Sequence, residues 1–438
     1  MDIRAFAKTF GFEALRDFEA SARLFARSNT EVLELAVAEN VLLFEELKTL
    51  IENMPRLDDH DLEYTPSYGT DALRRSSVGM LNHSLPLGEP ALTDEQVSGF
   101  SSTRSVLAWI LRPLVAGQSR PTFLVPTPCW QGFPWILEDF LGGHIERVET
   151  HSRDDFRLTL DLVKRRYERS YRENGYEPTA LVLTNPGNPV GRNQPPELLE
   201  EILDWVLTKT EMHLVSDEIY AHAQTRDPKY SFVSALYLSR NRPESWGRVH
   251  VAWGFAKDFG LSGFRIGLYL CRDTERQDAV RGTAQWSPFD SHNSVTLADV
   301  MEKDGARGCS LMKTFQDRLN EQFDGVRDTL IDQAIPFVPS DASVFFWLDL
   351  RRWLGKAPTD EALGRSLVHS VLLTMGRVDP REQALRTYLA AKARVDLAPG
   401  TQFLFAEPGF FRLCYTAATK KEVMDGIVRI GAALRALG

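Results

Sequence analysis

One lysine, Lys257, stands among small, apolar and glycine residues in the run GFAKDFGLSGFRIG, Gly254 to Gly267, with a single arginine, Arg265, eight positions after it. Taking an amine out of water is costly unless the amine is paired or used chemically. Apolar surroundings lower the pKa of a lysine and keep it nucleophilic, which suits imine formation with a carbonyl. Asp217 in VSDEIY closes an apolar run, and Tyr220 follows it with a phenol donor. Asn188 in the proline-bracketed NPGNPVG offers a second donor, and Trp130 in PTPCWQGF offers a flat stacking surface. In GFSSTRSVL, Ser101 and Ser102 follow Phe100 at the start of a helical pattern. A helix start has free N–H groups and a positive end, which together favour a phosphate. Arg265 would add a planar, bidentate phosphate donor.

Each of these residues has an ordinary reading when taken alone. Lys257 could be a loop lysine, Asp217 or Ser102 a cap, Asn188 a turn residue, Arg265 one half of a surface ion pair, and Trp130 or Tyr220 core. Together they supply an amine for a Schiff base, a carboxylate to keep a pyridine nitrogen protonated and donors for a ring hydroxylate. They also supply an aromatic platform and a phosphate cradle. Those are the requirements of pyridoxal phosphate.

The elements needed to position such a set can be read from the pattern. From about residue 95, TRSVLAWILRPLVAG reads as a helix, TFLVPTP as a short strand, and ALVLTNPGNPVG as a strand entering a loop. PELLEEILDWVLTKT then reads as a helix, and HLVSDEIY and RVHVAWGFAK as strands. The alternation predicts a mostly parallel α/β sheet, whose ligands gather beyond the carboxyl ends of its strands. After about residue 305, LMKTFQDRLNEQFDGVRDTLIDQ, SVFFWLDLR, GFFRLCYTA and a closing helix predict a second, smaller α+β domain. The expected organisation is an N-terminal arm with part of the small domain over 1–60, a large domain over 61–305 and a small domain over 306–438. The first thirty residues, with Ile3, Phe6, Phe10, Phe12, Leu15 and Phe18 at roughly helical spacing, predict a packing helix or dimer arm. Residues from Val41 on read as a helix, and the charged GRVDPREQALRTYLAAKARVD reads as a surface insertion.

A length of 438 residues is more than one core easily absorbs. The net charge of -9, with lysines and arginines scattered, argues against a nucleic-acid partner. The four cysteines, Cys129, Cys271, Cys309 and Cys414, show no ligand spacing, so no metal is expected and a reducing cytoplasm is. No apolar stretch has signal-peptide or bilayer-spanning character, so no membrane is expected.

In combination, NPGNPVG, SDEIY and AKDFGLSGFRIG resemble the fold-type I pyridoxal phosphate enzymes of the aspartate aminotransferase superfamily. LAVAENVLLFEEL, LVPTPCWQGF and EPGFFRLCY are similar to its aminocyclopropane carboxylate (ACC) synthase branch. The resemblance implies a large domain of the seven-stranded type, a small α+β domain and pyridoxal 5'-phosphate as cofactor. It implies that Lys257 is the Schiff-base lysine and the base for the substrate α-proton. Asp217 then pairs with the pyridine nitrogen, Asn188 and Tyr220 with the ring oxygen, and Trp130 stacks on the ring. Arg265 and the groups around Phe100, Ser101 and Ser102 would hold the phosphate. Arg412 would clamp the substrate α-carboxylate, and Ala38 and Glu39 would fall in the loop covering the substrate. Tyr64, with Tyr68 as the rival match, would be lent to the partner's phosphate, which implies a homodimer with shared sites.

The implied reaction is γ-elimination with ring closure, or γ-substitution by a second substrate, on S-adenosylmethionine. The alternatives are an aminotransferase for an aromatic or apolar amino acid, and a non-catalytic binding protein that keeps the fold. The chain departs from the pattern at Gly254, where a phosphate-binding serine usually stands, and at PWILEDF after Trp130, where the synthase branch carries a charged stretch. Arg281 is out of register for reading a dicarboxylate side chain.

Overall fold

A computed structural model describes residues 32–52, 59, 63–175, 177–288, 290–304, 309–358 and 378–438. The helix expected over the first thirty residues lies outside them. The chain divides into two compact units. The larger comprises Glu39–Phe323 and Ser340–Phe345; the other comprises residues up to Ala38, Asp324–Pro339 and Phe346–Gly438.

The larger unit is built on a seven-stranded sheet. Its strands are β1 (Val97–Phe100), β2 (Thr122–Thr127), β3 (His144–Glu149), β4 (Ala180–Thr184), β5 (His213–Asp217), β6 (Val249–Gly254) and β7 (Gly267–Leu270). They lie in the order β1-β7-β6-β5-β4-β2-β3. β3, β2, β4, β5 and β6 pair in parallel, and β7 runs antiparallel to both β6 and β1. The expected mostly parallel sheet is therefore present. Two reversals restore direction, so β1 ends at the same edge as β2 through β6, and β7 begins there. β4 and β6 are almost wholly buried, as their near-continuous apolar sequences require. Connecting helices include α1 (Thr103–Leu111), α2 (Leu160–Asn174) and α3 (Pro196–Lys209), and a single turn, α4 (Phe255–Asp258), follows β6. Helix α1 stops at Leu111 rather than reaching Gly117, because Pro113 has no N–H to continue the ladder.

In the smaller unit, Leu33–Glu34 pairs in parallel with Val395–Asp396. Ala398–Pro399 runs antiparallel to Phe410–Cys414. The segment read as a charged surface insertion is, over its described part, a packed helix. Pro380–Lys392 buries Leu385, Leu389 and Ala390. Two of its charges are satisfied inside the unit. Arg386 is fully buried and grips Asp396 through Nε–Oδ1 and Nη2–Oδ2 contacts of 2.6 Å each, and Glu382 accepts the Gly409 amide at 2.6 Å. Paired buried charges leave the same mark on a sequence as solvated ones, which is why composition misled here.

Removing one member of such a pair strands the other charge in the interior. Asp396→Ala should cost about 3–5 kcal/mol in chemical denaturation. The joint replacement Arg386→Met with Asp396→Leu should cost clearly less. Equal losses from the two would contradict this.

Candidate active site

The residues singled out in the larger unit fall on one edge of its sheet. Ser101 and Ser102 follow β1, Trp130 lies just past β2, and Asn188 lies in the loop after β4. Asp217 ends β5 with Tyr220 just beyond it, Lys257 follows β6, and Arg265 precedes β7. Because β1 through β6 end at this edge and β7 starts at it, residues far apart in sequence converge there. The Asn185 amide donates to the Asp217 carbonyl at 3.0 Å, so the Asn188 loop departs from beside Asp217. That loop is closed by Gly187 N–H to Arg192 C=O at 2.8 Å and Gly191 N–H to Gly187 C=O at 3.0 Å.

Lys257 sits on the single turn α4, partly buried. A short turn needs bracing, and the side chains of Asn40 and of its own Asp258 supply it. The buried Asn40 side chain donates to the Lys257 carbonyl at 2.7 Å and accepts the Leu42 amide at 3.0 Å. Asp258 Oδ2 accepts the His222 amide at 3.2 Å and Trp253 Nε1–H at 3.0 Å, and lies 2.8 Å from His222 Nδ1. His222 is two residues past Tyr220, so this carboxylate ties the lysine turn to the segment carrying Asp217 and Tyr220. Sequence reasoning stopped at Ala38 and Glu39 and passed over Asn40. It also passed over His222 and Asp258, although isolated polar residues in apolar runs were a usable signal.

Gly254 and Gly267 face each other across β6 and β7. A Cβ at Gly267 would lie 2.3 Å from the Thr103 amide nitrogen, and one at Gly254 would lie 2.6 Å from Thr103 Oγ1 and 2.7 Å from the Ile266 carbonyl. The first turn of α1 therefore rests directly on bare strand backbone. The serine expected at position 254 is absent for a steric reason, because the Thr103 hydroxyl occupies its space. Ser102 caps α1 by accepting the Ser105 amide at 3.2 Å, and Ser101 Oγ meets the hydroxyls of Ser105 and Ser287. Phe100 ends β1 fully buried. Arg265 is exposed, adopts a left-handed backbone with φ of +57°, and donates to the Ser262 carbonyl at 3.2 Å. Such a conformation is unusual for a residue with a side chain and tends to persist where surroundings fix it.

Burial pushes the Asp217 carboxyl up to about 7, opposed by the Ile219 amide and assisted by the neighbouring Glu218. Among the described residues no cation pairs with it. Tyr220 is buried with its ring edge-on to Phe345 at 5.3 Å. The half-buried Trp130 indole lies so close over Gly132 that a Cβ there would meet it at 2.3 Å. A cavity of about 400 Å³ is lined by Thr127, Phe133, Thr184, Asn188 and Asn193. Of the residues placed on this edge it touches only Asn188.

Tyr64 is fully exposed, whereas Tyr68 lies between the guanidiniums of Arg74 and Arg281 at 5.1 and 4.9 Å. Arg281 donates to the Glu95 carbonyl at 2.8 Å and Ser98 Oγ at 3.2 Å, and pairs with Asp278. Glu39 opens the larger unit. In the smaller unit Arg412 is buried, donates from Nη2 to the Ala36 carbonyl at 2.6 Å, and has its guanidinium over Phe403 at 4.7 Å; Ala38 is that unit's last residue before the boundary. Among the described residues no cluster of metal-ligating side chains occurs, and no helix is long and apolar enough to cross a membrane.

The profile of the family described as aminotransferase class I and II matches residues 31–430. The chain belongs to that family. The 1-aminocyclopropane-1-carboxylate synthase 5 of Oryza sativa subsp. japonica is 25% identical to it over 400 residues, covering 88% of this chain and 70% of its own. Synthase 3 of the same plant is 26% identical over 418 residues, covering 91% and 86%. The aspartate aminotransferase from Thermus thermophilus with maleate superposes with a TM-score of 0.71 at 19% identity, covering 95% of this chain and 96% of that one. The fold is that of the aspartate aminotransferases, and the family cofactor is pyridoxal 5'-phosphate. The residues present suit that group. A buried carboxylate without a cation can receive a protonated ring nitrogen, and a helix start set on glycines beside an arginine can receive a phosphate.

Filling the glycine contact should be destabilising. Gly254→Ser should lower stability by roughly 1–3 kcal/mol in thermal unfolding. Adding Thr103→Ala should recover only part, because the Ile266 carbonyl remains in the way. A Gly254→Ser variant as stable as the parent would show that the packing is looser than described.

Proposed function

We propose that this enzyme acts on an α-amino acid and that its reaction is ring closure with γ-elimination on S-adenosylmethionine. The convergence of Lys257, Asp217, Asn188, Tyr220 and Arg265 on one sheet edge carries the amino-acid chemistry. Similarity to ACC synthases along about nine-tenths of the chain supports the choice of substrate. So does Arg281, which is held by its own chain and leaves a dicarboxylate side chain without that reader.

When bound, the cofactor supplies an electron sink that acidifies the substrate α-C–H. Lys257 would hold the cofactor covalently, and its Nζ would accept the substrate α-proton. Asp217 keeps a proton on the ring nitrogen through its buried carboxylate. Asn188 and Tyr220 donate to the ring oxygen, Trp130 covers the ring, and Arg265 with Ser101, Ser102 and the amide following Phe100 anchors the phosphate. We assign the substrate carboxylate to Arg412 and the covering loop to Ala38 and Glu39, on the resemblance. In the substrate the Cγ–S bond breaks with its electrons going to sulfur, a Cα–Cγ bond forms, and a proton leaves. The products are a cyclopropane amino acid and methylthioadenosine. The altered PWILEDF segment leaves γ-substitution by a second substrate as a variant of the same chemistry. Tyr64, fully exposed, is our candidate for the residue lent to a partner subunit in a homodimer.

Incubation with S-adenosylmethionine should release methylthioadenosine together with the cyclopropane product or a γ-substituted amino acid, measured by mass spectrometry. Lys257→Ala should abolish release. Conversion of 2-oxo acids at the expense of an amino donor, with S-adenosylmethionine untouched, would establish an aminotransferase instead.

A further inference from the structure

Arg104 is the second residue of α1 and lies on the same edge. Its guanidinium stands over the rings of Trp130 at 5.7 Å and Trp135 at 5.0 Å. Among the described residues no carboxylate or hydrogen-bond acceptor pairs with it, and the residue is exposed to solvent. Arg265 is similarly placed, its donors meeting only the Ser262 carbonyl. Gly267, two residues after Arg265, packs directly on Ser102 and Thr103, the residues just before Arg104. Desolvation and then the Arg265 charge lower the Arg104 pKa. The start of α1 adds its own positive end. Two guanidiniums and a helix N-terminus thus share one edge of the sheet, and among the described residues no acid pairs with either arginine, an arrangement that favours an anion.

We propose that Arg104 is a second guanidinium for the cofactor phosphate, acting beside Arg265. The proposal rests on the reading above that Arg265 and the start of α1 hold that phosphate. A phosphate dianion has oxygens enough for two arginine forks, and each fork makes charge-assisted hydrogen bonds. Gly254 has no hydroxyl to give, so a second cation from α1 offsets the missing serine. Contact with Trp130 also sets Arg104 beside the platform assigned to the cofactor ring.

The test uses cofactor-free full-length protein, with Arg104→Gln, Arg104→Lys and Arg265→Gln compared after circular dichroism has shown them folded. Affinities for pyridoxal phosphate and for pyridoxal, which lacks the phosphate, are measured by absorbance titration. Arg104→Gln should weaken pyridoxal phosphate about ten- to a hundredfold while leaving pyridoxal unchanged, and Arg104→Lys should lose less. Millimolar inorganic phosphate should raise the melting temperature of the wild-type apoprotein more than that of Arg104→Gln. Equal losses for the two ligands would mean that Arg104 only supports Trp130, and an unchanged pyridoxal phosphate affinity would exclude any role; either overturns the proposal. If Arg265→Gln also leaves pyridoxal phosphate affinity unchanged, the phosphate assignment itself fails. If Arg265→Gln weakens it and Arg104→Gln does not, only the second guanidinium is refuted.

Discussion

The arrangement depends on a contact that has no room for a side chain. Gly254 and Gly267 present bare backbone to the first turn of α1, and a methyl group at either would collide with Ser102, Thr103 or Ile266. This fixes where the helix start sits relative to two strand ends. Lys257 is three residues beyond one glycine and Arg265 two residues before the other. One steric condition therefore sets the spacing between the amine and the positively charged cradle. Packed backbone resists displacement more than flexible side chains do, so this contact is held firmly.

A second layer of order is polar. Asp258 and Asn40 brace a four-residue turn too short to be stable alone. Asn40 comes from a distant segment, and Asp258, within the turn, reaches His222 on the segment that carries Asp217 and Tyr220. Asp217 is itself costly in this setting, since burial raises its pKa to about 7. A buried carboxylate without a cation opposes stability when ionised, and the cost is removed when a positive group binds beside it. Local instability of this kind is expected at a binding site.

Much of this was legible in the amino-acid order. Apolar runs ending in Asn188, Asp217 and Lys257 marked parallel strands and the edge at which they stop. The substitution of glycine for serine at 254 was legible too, but its cause was not, because the Thr103 hydroxyl approaches from a helix some 150 positions earlier. Arg104 carried no signal beyond being a basic residue after Ser101, Ser102 and Thr103, and that no acid among the described residues pairs with it is a property of three dimensions. Helix Pro380–Lys392 was misread because periodic burial was masked by charges that pair inside the fold. Turn bracing by Asn40 was missed because a lone asparagine reads as surface until its partners are known.

The central claim is that Lys257 Nζ is the point of covalent attachment for pyridoxal phosphate. Borohydride reduction of the holoenzyme, followed by proteolysis and mass mapping, tests it directly. A single pyridoxyl adduct is expected, on the peptide containing Lys257. An adduct on another lysine, or none on a protein saturated with cofactor, would contradict it.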